Sequence, residues 1–220
     1  AKVDQSSIGT NWGAGDIMYA DLDGDGKISN GTNKLGDTGD YRIIGNSTPR
    51  FKYGITLDAA WKGFDFSIFM QGIGKRDLWL DGCYFWGANG QGNEWQSTGF
   101  AEHWDFFRPE GDPLGANLNS YYPRVNFSGG RNTKIQTRYL QNGAYLRLKN
   151  VQLGYTLPRV WTEKAGISSV RVYVSGDNLA TITSLSKIFD PEATGSLAGT
   201  GSGKLYPLQR VISVGVNVNF

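Results

Sequence analysis

The residues with the clearest capacity for chemistry lie near the start of the chain, in the run DLDGDGKI at 21–28. Asp21, Asp23 and Asp25 stand at positions 1, 3 and 5 of a calcium loop, with Gly26 at the sharp turn and Ile28 as the apolar anchor. Alternating carboxylates on a tight loop suit a hard cation, because Ca²⁺ collects six to eight oxygen ligands. The same spacing makes the backbone carbonyl of Lys27 a fourth ligand, at position 7. Position 12 is Thr32 rather than Glu, so the closing carboxylate has to come from further along, from Asp37 or Asp40.

Other reactive side chains are sparse. The single His103 sits in EHWDFF at 102–107, a candidate short helix, with no Ser or Cys nucleophile pattern around it. A lone Cys83 excludes an internal disulfide, and one His excludes a multi-histidine metal centre. No enzymatic constellation emerges. The stretch 74–142 instead gathers Trp79, Tyr84, Phe85, Trp86, Trp95, Phe100, Trp104, Phe106 and Phe107. Such aromatics can stack on sugar rings or dock a protein lid, but a loop this long is expected first to pack a small core of its own.

These residues must be positioned by β-structure. The chain of 220 residues carries 31 Gly, 7 Pro, 7 Trp, 11 Tyr and 11 Phe, a β-rich composition. Its 22 Lys and Arg against 20 Asp and Glu, without basic clusters, exclude a nucleic-acid interface. Period-two alternation predicts five strands. In 51–61 the odd positions Phe51, Tyr53, Ile55, Leu57, Ala59 and Trp61 form one apolar face. After a tight turn at Lys62 and Gly63, the even positions Phe64, Phe66, Ile68 and Met70 continue it. A third strand, 144–157, changes parity after Leu148, which calls for a β-bulge near Asn150. The fourth, 169–181, sets Val170, Val172 and Val174 against Arg171, Tyr173 and Asp177. The fifth alternates Ile212, Val214, Val216, Val218 and Phe220 with Ser213, Gly215, Asn217 and Asn219.

The polar faces carry Arg147, Lys149, Gln152, Arg171, Asp177, Asn217 and Asn219, poor material for a dry core. In a membrane barrel the apolar face meets lipid, the polar face lines a wet lumen, and aromatics such as Phe51, Tyr53, Trp61, Phe64, Tyr155 and Phe220 form girdles. Those lumenal charges are expected to pair with neighbours or with a plug. Connections alternate between short turns and long loops, which places 1–49, 74–142 and 182–206 on the extracellular side of an outer-membrane barrel. No apolar run is long enough for a membrane helix. Five strands cannot close a pore, and an open edge in lipid strands backbone groups at several kcal/mol each, so the chain is expected to be part of a longer protein. Its start at Ala1, with no Met or leader, is expected to be internal.

Six segments carry a resemblance: GDIMYADLDGDGKI (15–28), DYRIIGNSTPRFKYGITLDAAWKGFDFSIFMQG (40–72), YLRLKNVQLGYTLP (145–158), VRVYVSGDNLATIT (170–183), FDPE (189–192) and YPLQRVISVGVNVNF (206–220). Together they resemble the C-terminal part of SusC/RagA-type TonB-dependent outer-membrane transporters. The resemblance implies an all-β fold, the last five or so strands of a transmembrane antiparallel β-barrel of about twenty-two. It implies import of oligosaccharides or peptides with a SusD-like surface lipoprotein, driven by TonB through an N-terminal part, and no enzymatic step. It also favours Asp40 over Asp37 as the closing ligand, because Asp40 precedes RIIGN as the family's closing Asp does. One departure is visible, the insertion GTNKLGDTG before Asp40. The rival class is a soluble, secreted, calcium-stabilised β-sandwich that binds glycans.

Overall fold

The structure is a computed structural model that describes residues 3–32, 34–89, 99–127, 130–194, 206 and 208–220. It divides into two compact units. The described residues of one fall within 1–45 and 79–140, and those of the other within 46–78, 141–194 and 206–220.

The second unit is built on a five-stranded antiparallel sheet. Its strands are β1 (Arg50–Trp61), β2 (Phe64–Lys75), β5 (Tyr145–Thr156), β6 (Ser169–Thr183) and β7 (Val211–Asn219), in the spatial order β1-β2-β5-β6-β7. β1 and β2 join through Lys62 and Gly63, both at positive φ, 48° and 87°, as the tightest hairpin turn requires. In the pairing of β2 with β5, Phe69 faces Asn150 and Met70 faces Leu148, so Lys149 is the extra residue of the expected bulge. Across from it Asn178 takes a left-handed conformation, φ 52°, where the β5 and β6 register shifts. The bulge keeps Leu146 and Leu148 on the same face as Val151 and Leu153.

Among the described residues no layer covers that face. Ile55, Leu57, Phe66, Leu153, Val172, Val174, Val214 and Val216 are all exposed, and Val214 reaches 76%. The sandwich alternative requires a second sheet packed there. Among the described residues the only other sheet is the two-residue pair β3 (Asp77–Leu78) with β4 (Gln141–Asn142), which the alternation did not reveal. The sheet is open, with β1 and β7 each paired on one side only. Every long connection leaves from the end that holds Arg50, Lys75, Tyr145, Thr183 and Val211, whereas the opposite end carries the hairpin and the turn 157–168.

The first unit is mostly loop around an aromatic cluster. Leu80, Phe85, Trp86, Tyr122 and Tyr139 are buried there. It includes the one-turn helix α1 (Cys83–Trp86) and a 3-10 turn at Ala101–Trp104, which overlaps the start of the EHWDFF segment expected to form a short helix. No described helix is long and apolar enough to cross a membrane.

Candidate functional site

In the acidic loop the structure brings together Asp21, Asp23 and Asp40, each offering a carboxylate oxygen within 4.8 Å of the others. The local sequence explains the fold. Asp21 receives hydrogen bonds from the amides of Gly24 at 2.6 Å and Gly26 at 2.8 Å, so its side chain closes the turn that both glycines make at positive φ. Asp40 spans the insertion, accepting from the amides of Leu22 at 2.6 Å and Ser29 at 2.7 Å. The Leu22 amide first, joined by those of Ser29 and Asp23, holds the Asp40 carboxyl below the usual aspartate range against the opposing effect of burial.

Asp25 stands outside this group. It accepts the Lys27 amide at 3.0 Å and lies 3.5 Å from the Lys27 ammonium. Residues 26–28 are tied instead to Asp4, whose amide donates to the Gly26 carbonyl and whose carbonyl accepts from Ile28. Asp37 is occupied with Thr32, through both its amide and its hydroxyl. The oxygen-only donor set of Asp21, Asp23 and Asp40 fits a hard cation, and within the insertion Lys34 pairs with Asp37 without displacing Asp40.

On the polar side of the sheet the charges pair with one another. Arg147, nearly buried, binds Asp190 at 2.7 Å and lies 3.5 Å from Glu192, which also takes Lys149 at 3.0 Å. Arg147 further donates to the Thr181 hydroxyl, and Arg76 donates to the carbonyl of Thr194. The FDPE segment is thereby clamped onto β5, and its own Phe189 is buried, as is Leu185 just before it. Burial would raise the Asp190 pKa, but Arg147 together with the Glu192 and Leu208 amides outweighs it and the carboxyl stays below its usual range. At the other end Arg171 on β6 reaches over Gly154 of β5 to Asp65 on β2, at 2.9 Å through Nε. A Cβ on Gly154 would stand 2.5 Å from both partners, so their side-chain ends would have to shift. Asn150 donates to Asp177 at 2.7 Å. Of the expected alternatives for these charges, neighbour pairing holds for Arg147, Lys149, Arg171 and Asp177 alike.

A sheet with one bare apolar face and one charge-paired polar face is a piece of barrel wall, and known proteins agree. No family model matches the chain. A TonB-dependent receptor P3 of Formosa agariphila is 33% identical over 216 residues, covering 94% of this chain. A second, TonB-dependent receptor P26 of the same organism, is 28% identical over the whole chain. The chain belongs to the TonB-dependent receptor family. It spans about a fifth of those relatives' length, 19% and 21% respectively. Among solved structures it is similar to the RagAB peptide importer in its open-open state, with 27% identity and a TM-score of 0.61, and to the RagAB peptide transporter, with 28% and 0.62. In both cases 81% of this chain aligns with 18% of the other. The strands are thus a partial TonB-dependent receptor barrel of SusC/RagA type, unclosed as five strands must be.

In this receptor segment the aromatics of 74–142 do build a loop core. Trp86 and Tyr139 meet edge-on at 4.8 Å between ring centres, and Phe85 meets Trp86 at 5.1 Å and Tyr122 at 5.8 Å. His103 is part of that packing. Its Nδ1 accepts from the Phe100 amide, its Nε2 lies 3.1 Å from the Tyr84 carbonyl, and its ring packs edge-on against Tyr122. Cys83 is half-buried at the start of α1. Trp95 lies outside the described residues. The residue that the sequence reading missed is Asp16, whose carboxylate receives Arg124 at 2.7 Å, Asn132 at 2.9 Å and the Gly13 amide at 2.9 Å, with Arg131 at 3.4 Å. Its side-chain partners Arg124, Arg131 and Asn132 lie more than a hundred residues away, so no spacing could reveal them.

Proposed function

We propose that the chain forms the C-terminal barrel wall and surface loops of a TonB-dependent nutrient importer in the outer membrane, taking up oligosaccharides or peptides together with a SusD-like lipoprotein. The observation that carries this reading is the two-faced sheet itself, joined to the similarity with a solved peptide importer. Its apolar face suits lipid, and its polar face, neutralised by internal ion pairs, suits a water-filled lumen. In this arrangement 1–49, 74–142 and 182–206 are extracellular. Import requires no bond to be made or broken by the chain, so its residues act by shaping the passage. TonB engages the N-terminal part of the receptor.

Under the same reading the acidic loop holds a structural Ca²⁺ through Asp21, Asp23 and Asp40, with the Lys27 carbonyl as the remaining candidate from the loop pattern, Asp25 being turned to Lys27. The ion would supply fixed positive charge that locks the loop, and an extracellular site needs only millimolar affinity. The function is tested by uptake of labelled oligosaccharides and labelled peptides into cells carrying or lacking the receptor, with and without collapse of the proton gradient. Gradient-dependent uptake of one class supports the proposal, and gradient-independent uptake or none of either class overturns it.

A further inference from the structure

The turn between β5 and β6 contains a feature that import does not use. Pro158 leads into the one-turn helix α2 (Arg159–Thr162), followed by a 3-10 turn at Glu163–Ala165. Thr162 is the member turned inward, only 6% exposed, and its carbonyl accepts from the Ile167 amide. Beside it Val160 and Trp161 project outward, 70% and 65% exposed. Two large adjacent apolar side chains at the tip of a short turn are costly in water. Their place in the fold suggests what covers them. The turn lies at the end of the sheet where Trp61, Phe64 and Phe220 are also exposed, so the apolar face of the strands runs into it. Basic groups accompany them. Arg159 precedes the exposed pair and is held by Glu163 at 2.5 Å, Lys164 follows it, and the Lys62 ammonium lies 4.8 Å above the Trp61 ring. An aromatic with a cation beside it matches the boundary between acyl chains and phosphates, where Trp rings settle and basic side chains reach the headgroups.

We propose that the turn 158–165 is an interfacial anchor, with Val160 and Trp161 seated in the headgroup zone of a phospholipid leaflet and Lys164 and Lys62 at its phosphates. This rests on the reading that the sheet spans the outer membrane, and it adds a lipid contact outside the strands. The Pro158 start and the buried Thr162 hold the helix in place, so that insertion requires no rearrangement of the turn.

The test uses the complete receptor in nanodiscs of phosphatidylethanolamine and phosphatidylglycerol, with a nitroxide attached at Trp161→Cys, or at Val160→Cys should the first variant fold poorly. Val214→Cys serves as the membrane-interior reference and Leu114→Cys as the aqueous one. Collision with oxygen relative to a water-soluble nickel complex is expected to be several-fold higher at 161 than at 114, and lower than at 214. A ratio at 161 equal to that at 114, or shielding from both reagents as in a protein contact, overturns the anchor while the reading at 214 leaves the barrel standing. A water-like ratio at 214 overturns the barrel reading, and the anchor with it.

Discussion

At the scale of single residues, a spacing pattern and a fold select different carboxylates. The calcium-loop spacing made Asp21, Asp23 and Asp25 equivalent, yet the backbone turn at Gly24 and Gly26 directs Asp25 toward Lys27 and leaves the third place to Asp40. The spacing fails at Thr32 and leaves the closing place open between Asp37 and Asp40, and the family resemblance favoured Asp40. The expected outcome is that Ca²⁺ raises the melting temperature of the receptor's loop region, that Asp40→Asn abolishes this increase, and that Asp25→Asn retains it. Calorimetry with calcium and with chelator reads the difference, and an unchanged calcium response in Asp40→Asn would remove the site. A pH dependence follows from the same groups. Asp4, Asp37 and Asp40 all have lowered pKa values through backbone and hydroxyl donors. A carboxylate lowered in the folded state stabilises above its unfolded pKa and loses that contribution as pH falls through the folded value. Without calcium the loop should therefore hold its structure at pH 5 and loosen only below about pH 4, as amide-exchange protection across 21–40 would report.

At the scale of elements, the strands were legible because a half-exposed sheet repeats every two residues, and even the bulge at Lys149 showed as a break in parity. The pair β3 and β4, each of two residues, is too short to carry a period. The loop core was legible only as a surplus of aromatics, because Leu80, Phe85, Trp86, Tyr122 and Tyr139 follow no regular spacing. Two substitutions test the face assignment. Val214→Arg places a charge on the bare apolar face and should cost ~2–4 kcal/mol in lipid, whereas Ser213→Arg on the polar face should cost far less. Folding titrations into bilayers compare them, and equal costs would contradict the barrel. Gly154→Val tests the polar face, since the new side chain would occupy the space through which Arg171 reaches Asp65. Overpacking of this kind costs ~1–3 kcal/mol, and it should be relieved in part when Arg171 is shortened to Ala.

At the scale of the whole molecule, the question is which part of 79–140 can meet a lipoprotein. Removing the segment from Trp79 onward would delete Leu80, Phe85 and Trp86 from the loop core, so loss of a partner would report unfolding rather than contact. The informative side chains are those the core leaves outside. Leu114 and Leu118 are 58% and 57% exposed, on the hairpin that pairs Arg108 with Asn117. If this surface carries part of the lid interface, Leu114→Ser combined with Leu118→Ser should weaken lipoprotein capture about tenfold, equivalent to ~1.4 kcal/mol, without altering protease resistance of the loops. Tyr139→Ala provides the contrast. Its ring is fully buried and its hydroxyl donates to the Tyr121 carbonyl at 2.7 Å, so the loss should approach ~3–5 kcal/mol and expose the unit to protease. Affinity capture from detergent-solubilised membranes, run beside limited proteolysis, separates the two effects. Capture that survives both variants would show that the lipoprotein seats elsewhere on the receptor and that the aromatic loop serves only its own core.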